Sequence, residues 1–411
     1  VAVSTRHARG QALAVTAGVM ASNASGYLLT VVAARALAPA AFGELGALLA
    51  VLLVGAVPAM GVQTVVALRV AGNPGESRAP LIGLGLAVAA VVTALAGGVV
   101  PVIAGVLRVD DVFAVVWLAL AVGPLTVNGL WHGLLQGRQR FALFGAFVAG
   151  EAALRVGGAL AGLVIARSTA GTLAGVAAGT AVSALLGWVV CGRPLPAGFP
   201  LARVRETVHA VQALLAMVVL VNLDLVLARH VLPVASGEYA VGAVLTKIAY
   251  WLPHAVAVMV LPRLAGAGRG RAVTGALAVC AALDGVVVAG AVLFGPQALR
   301  LIGGLSYVDS VLALWPFAVA GSLLSLAQIL LFARIAGHDR WSTLLTWGAV
   351  AVETALVLLW LNDSPLQVVS AAVVATGLLV VAGAAVELRA GHDRRAGHDQ
   401  RAVDGRRAGH G

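Results

Sequence analysis

Residues 221–262 read VNLDLVLARHVLPVASGEYAVGAVLTKIAYWLPHAVAVMVLP. Two apolar runs, each long enough to cross a bilayer, are joined by a short polar turn, with one acid, Asp224, and one base, Lys247, inside them. A charge within such a run costs about 2.5 to 3.5 kcal/mol on insertion scales, so it is retained for a partner or a pathway.

The same apolar texture continues in both directions. Hydrophobic residues make up 61% of the 411 and charged residues 11%, against roughly 25% charged in a soluble domain. Apolar segments of about 20 residues recur along the chain, each sufficient for a helix across the hydrocarbon core, and the alternation of a barrel strand is absent. The expected class is an all-α polytopic membrane protein. Fifty glycines suit helices that approach through small faces. Cys191 and Cys280 have no metal-like spacing, so no metal site, disulfide or cofactor is expected. Arg6, His7 and Arg9 precede the first run without a cleavage site, which predicts a retained first helix.

Polar clusters divide the chain into helices near 11–34, 45–68, 81–107, 113–135, 142–166 and 170–190. After a basic, proline-rich connection, six more fall near 208–230, 239–262, 272–294, 308–335, 341–361 and 366–387. The expected organisation is therefore a six-helix lobe over 1–192, a connection over 193–207, a second six-helix lobe over 208–387, and a tail over 388–411. The tail repeats Arg-Ala-Gly-His at 389–392, 395–398 and 407–410 and lacks apolar residues to bury, so it is expected to be disordered.

Basic residues set the orientation, because short cytoplasmic loops carry their excess. Twenty arginines fall in one set of alternate connections and termini, and five (Arg35, Arg108, Arg167, Arg229 and Arg300) in the other. Both termini are thereby predicted to be cytoplasmic, in a multi-pass protein of the cytoplasmic (inner) cell membrane. The net charge of +10 mostly reflects this asymmetry, and it gives no reason to expect nucleic acid as a partner.

The halves also match each other. Gly43, Glu44 and Arg69 recur as Gly237, Glu238 and Arg263 at an offset of 194, with Pro58 and Pro124 answered by Pro253 and Pro316 at nearly the same spacing. An even number of helices per half makes this a parallel repeat about an axis along the membrane normal, with substrate expected between the lobes.

Six charges lie within the expected helices: Glu151, Arg155, Asp224, Lys247, Asp284 and Glu353. Glu151 and Arg155 are four apart with the acid first, the better order for a pair on one helix face. Arg155 either neutralises Glu151 or faces a cavity where a guanidinium holds phosphate. Asp224 and Lys247 lie at matching depths on adjacent helices, either as a plain salt bridge or as a pair that substrate or a proton breaks. Asp284 and Glu353 are either proton acceptors or neutral packing acids. Asn23, Asn128, His132 and Gln328 are polar positions that line a cavity or bond between helices. Pro58, Pro124, Pro253 and Pro316 are expected to kink their helices. No catalytic triad, phosphate loop or paired-cysteine motif is present, so no catalytic residue is assigned and the chain is not expected to be an enzyme.

Three stretches occur in a familiar order: Ala34-Arg35-Ala36-Leu37-Ala38-Pro39 leading to Phe42-Gly43, then Leu134-Leu135-Gln136-Gly137 leading to Arg140-Phe141, then Asn222-Leu223-Asp224 with Gly237-Glu238-Tyr239, Lys247 and Leu261-Pro262-Arg263. With them, residues 11–387 resemble the polysaccharide-export branch, the O-antigen flippases, of the multidrug, oligosaccharidyl-lipid and polysaccharide (MOP) exporter superfamily. Ala38-Pro39 stands where that branch has Gly-Pro, and the first helix carries Asn23 among aliphatics where the related lipid II flippases carry arginines.

The resemblance implies a MATE-like fold of about twelve helices in two six-helix lobes around a cationic cavity. It implies a polyprenyl-diphosphate-linked glycan as substrate, and coupling to H+ or Na+. Substrate would then meet Arg155, Lys247, Asn23 and Asn128, while Asp224, Asp284, Glu353 and Glu151 would serve coupling. Membrane lipids, and proteins of glycan assembly, are the other partners implied. The alternatives are a cation-coupled multidrug exporter, a membrane glycosyltransferase or ligase, and a scaffold for glycan assembly.

Overall fold

Proline placement cuts the chain into its helices. The computed structural model describes the backbone of residues 2–73, 75, 77–198, 202–252, 269–307, 310–335 and 341–408, and the side chains of 14–73, 75, 77–198, 212, 214–252, 274–307, 310–331 and 343–386. Helix α1 runs Ala2–Ala36, and α2 (Pro39–Gly55) begins on a proline, whose fixed φ and missing N–H suit a first helical turn. Two runs expected as single helices are broken. α2 gives way at Ala56 to α3 (Val57–Gly72), and α4 (Ala79–Gly98) gives way at Val99 to α5 (Val100–Val106). At each break a proline, Pro58 or Pro101, stands second in the new helix and cannot donate to the turn before it.

α6 (Val112–Gly137) is capped by Asp111, whose carboxylate accepts from the Phe113 N–H at 2.9 Å. α7 (Phe141–Ala166) ends on Arg167 in the left-handed conformation (φ 49°, ψ 38°), and α8 (Thr169–Val190) is capped by the Ser168 hydroxyl. There follow α9 (Ala202–Val231), α10 (Ser236–Trp251), α11 (Arg269–Gly303), α12 (Trp315–Ile335), α13 (Trp341–Leu359) and α14 (Pro365–Ala408). α14 continues across the Arg-Ala-Gly-His repeats, where its side chains lie outside the described residues.

The proline expectations need correction. Pro124 lies inside α6 and Pro58 stands just after the break at Ala56, but Pro316 stands second in α12, where no hydrogen bond is lost. Pro253, like Pro262 and Arg263, lies outside the described residues. The sharpest departure from helical geometry is at Phe294 (φ −120°, ψ 16°) in α11, two residues before Pro296.

Among the described residues nine helices are long and apolar enough to cross a membrane, with two shorter apolar helices at Trp315–Leu331 and Thr343–Leu359. Taking α2 with α3 and α4 with α5, and adding α10, the described helices follow the order of the twelve expected.

The chain forms two compact units. The first comprises Val1–Val244, Gln297–Val311 and Asp363–Pro365. Within it α6 packs on α3, α4 and α8, around a core that includes Val66, Leu130, Trp131, Leu134, Phe144 and Phe147. α7 meets α8 along a glycine seam so close that a Cβ on Gly158 would sit 2.3 Å from the Gly175 carbonyl oxygen. The second unit comprises Leu245–Pro296, Leu312–Asn362 and Leu366–Gly411. Here the Thr246 hydroxyl donates to the Phe317 carbonyl at 3.0 Å, and Ala276 and Cys280 pack on Ile329.

Candidate functional site

Arg229, one of the five minority arginines, lies in the last turn of α9 and is buried in the first unit. A guanidinium has five N–H donors, and here all five have acceptors. Nε donates to the Leu107 carbonyl (3.0 Å), Nη1 to those of Ala40 (3.0 Å) and Pro233 (2.9 Å), and Nη2 to the Arg108 carbonyl (3.1 Å) and Glu44 Oε2 (3.1 Å). Nearby, His230 Nδ1 lies 2.8 Å from the Val106 carbonyl oxygen.

This cluster has a counterpart in the other half of the repeat. Arg35, 194 positions before Arg229, donates from Nη2 to the carbonyl of Leu301, which is 194 positions after Leu107. The matched glycines also meet. A Cβ on Gly43 would fall 2.6 Å from the Gly237 nitrogen, and one on Gly237 would fall 2.1 Å from the Pro39 carbonyl oxygen. Only glycine permits these helix starts to approach so closely. Within the first unit, residues 194 positions apart thus exchange matching contacts and form a clasp.

Glu44 was not counted among the embedded charges, yet its side chain is 5% exposed beside Arg229 at 4%. Its oxygen also accepts from the Asp110 N–H at 3.3 Å. The signal was available: Glu44 lies six residues into an uninterrupted apolar run, at the repeat position of Glu238.

A second polar cluster lies where α6, α7 and α8 meet. Glu151 and Arg155 pair as their spacing predicted, Nη1 to Oε1 at 3.1 Å. The other carboxylate oxygen lies 3.1 Å from His132 Nε2, close but out of line for a hydrogen bond. Sequence alone had not joined His132 to Glu151. The imidazole stands edge-on to Phe144 and Phe147, while Asn128 donates to the Ser183 hydroxyl at 2.7 Å. Glu151 therefore has the Arg155 guanidinium on one oxygen and the His132 imidazole beside the other.

Asp224 accepts from the buried Tyr239 hydroxyl at 2.9 Å and from the Leu225 N–H at 2.8 Å. It belongs to the first unit and Lys247, half-buried on α10, to the second. Asn23 occupies an exposed position on α1. In the second unit Glu353 is buried on α13, and Asp284 on α11 meets Ser325 of α12. Ser325 Oγ lies 2.7 Å from Asp284 Oδ2 and 2.9 Å from the Ser322 carbonyl oxygen. One hydroxyl proton cannot serve both acceptors well. A proton on Asp284 lets the acid donate to Ser325 while Ser325 donates to Ser322. Among the described residues no group of three metal-ligating side chains occurs.

No protein-family model and no curated protein sequence matches the chain. Solved structures match it in fold. An inward-facing multidrug-resistance MATE family transporter of the MOP superfamily aligns over 87% of this chain and 93% of its own, with a TM-score of 0.69 at 12% identity. The fold is MATE-like. The inward closed conformation of the lipid II flippase MurJ aligns over 90% of this chain and 86% of its own, with a TM-score of 0.70 at 10% identity. An outward-facing MATE structure aligns with a TM-score of 0.61 at 14% identity, over 90% of this chain and 92% of its own.

Proposed function

We propose that the protein is an ion-coupled flippase of the MOP superfamily, which moves a polyprenyl-diphosphate-linked glycan from the inner to the outer leaflet of the cytoplasmic membrane. Both termini would lie in the cytoplasm, and the two six-helix lobes would alternate access to a site between them. The observation that carries the transport reading is the clasp. It would tie the two lobes together at the end expected to bear the five minority arginines, the predicted outer end, and a carrier working by alternating access would release such a tie once per cycle. The glycan reading is supported by the resemblance, whose motif residues Arg35, Pro39 and Gly43 are the ones that build the clasp.

Arg155 and Lys247 would meet the diphosphate, with Asn23 and Asn128 along its path. Asp284 is the favoured proton carrier, because protonation completes its contact with Ser325; Asp224, Glu151 and Glu353 are the further coupling acids. The test is reconstitution of the full chain in vesicles with a polyprenyl-diphosphate disaccharide on one leaflet and an imposed proton or sodium gradient. Gradient-dependent appearance of the disaccharide on the other leaflet is expected. No movement, combined with efflux of cationic dyes, would instead establish the multidrug exporter. That second reading is favoured by the MATE-like fold and by the embedded acids, which with Glu44 outnumber the embedded bases Arg155, Arg229 and Lys247.

A further inference from the structure

At the opposite end of the first unit from the clasp, Arg78, Arg138 and Arg140 converge on a pocket of about 560 Å³. Val70, Ala71, Gly137 and Gln139 complete its lining, which holds no carboxylate among the described residues; Glu76, two positions before Arg78, lies outside them. Arg138 Nε is buried without a hydrogen-bond partner. Burial, then the Arg78 guanidinium, and to a smaller extent that of Arg140, draw Arg138 below the ordinary arginine value. Three guanidinia thus crowd one another where a phosphate would accept from them.

Along the same helices runs a groove of about 880 Å³, lined by apolar side chains of α4, α6 and α8 and by Pro194, Leu195 and Pro196 of the strap that follows α8. The strap is anchored on α4, since the Ala197 N–H donates to the Ala79 carbonyl at 2.9 Å. Arg78 is one helical turn, roughly 6 Å, before Ile82 in the groove wall, and Arg138 is two turns, roughly 10 Å, beyond Trp131. At 100° per residue each arginine continues the stripe that lines the groove.

We propose that this pocket and groove bind one phosphate-bearing membrane lipid, its phosphate on Arg78, Arg138 and Arg140 and its hydrocarbon chain along α4, α6 and α8. Charge complementarity selects the occupant. A zwitterionic headgroup would bring its own cation among three others, and a free anion would leave the apolar groove unused. Binding there rests on the pocket and groove alone and does not depend on what the protein carries.

The purified full chain in neutral detergent, offered equimolar dioleoyl phosphatidic acid and dioleoyl phosphatidylcholine, should retain one phosphatidic acid by native mass spectrometry, preferred about tenfold. One charge-assisted hydrogen bond accounts for a factor of that order. Arg78→Gln with Arg138→Gln should abolish the preference. Ala90→Trp, which fills the groove from an exposed position on α4, should weaken retention of both lipids while leaving the arginines intact. If the double variant does not fold, Arg140→Gln and Ala90→Trp carry the test. Equal retention of the two lipids, or a preference that survives both the arginine and the groove substitutions, overturns the proposal. So does complete displacement of phosphatidic acid by millimolar inorganic pyrophosphate, which would mark a soluble-anion site.

Discussion

Arg35 and Arg229 make the same contact in opposite directions: each donates its guanidinium to a leucine carbonyl of the other half, Leu301 for Arg35 and Leu107 for Arg229. The two sides of the exchange are unequal in burial. Arg229 is enclosed with Glu44, whereas Arg35 is exposed. The first should therefore set the stability of the closed end, and the second should tune it.

Removing one partner of the Arg229–Glu44 pair leaves a buried charge uncompensated. Arg229→Met is expected to cost about 3 to 5 kcal/mol of stability. Glu44→Met should also destabilise, and the double variant should cost less than the sum, with a coupling of about 1.5 to 3 kcal/mol. Thermal unfolding of the four proteins in one detergent measures this; strictly additive effects would mean that the carbonyl contacts, not the ion pair, hold Arg229.

An ideal Cβ on Gly46 would lie 3.2 Å from the Ala240 Cβ, near the short end of the separation a disulfide requires. Gly46→Cys with Ala240→Cys should cross-link under mild oxidation and fasten α2 to α10. If the closed end must open, oxidation should stop gradient-driven transport and reduction should restore it. Full transport by the oxidised protein would rule out opening there.

Native thiols should not interfere with that experiment. Burial pushes the Cys191 thiol up to about 11, and the nearby Arg138 and Arg140 offset only part of the shift. The thiolate is the reactive form. At pH 7.5 it should amount to less than about one in a thousand molecules, so alkylation should stay slow and accelerate only as pH rises above about 10. Rapid labelling of Cys191 at pH 7 would contradict this environment.

Asp284→Asn should preserve the fold within about 1 kcal/mol, because the amide can donate to Ser325 as the protonated acid does. It should abolish gradient-driven transport while leaving substrate binding intact. Unimpaired coupling in this variant would reduce Asp284 to a packing group. Ser325→Ala is the companion test, expected to cost about 1 to 3 kcal/mol if the carboxyl loses its partner.

Much of the frame was legible because hydrocarbon leaves little choice: long apolar runs must be helices, and the offset between Gly43 and Gly237 marked positions that meet in space. The Glu151–Arg155 pair followed from spacing on a single helix. What escaped detection depended on the third dimension. His132 reaches Glu151 from another helix, and Arg229 finds its five acceptors on three separate segments, which no local pattern encodes. The interruption near Pro58 was expected and falls at Ala56, whereas the break at Val99 lies inside the single run expected over 81–107, where Pro101 was given no part.

The exchange between Arg35 and Arg229 also bears on ancestry. In a symmetric dimer, residue i of one subunit meets residue j of its mate, and j meets i in return. Arg35 with Leu301 and Arg229 with Leu107 obey that rule within one chain. The clasp has the pattern that a two-fold interface would leave after duplication and fusion of a smaller gene.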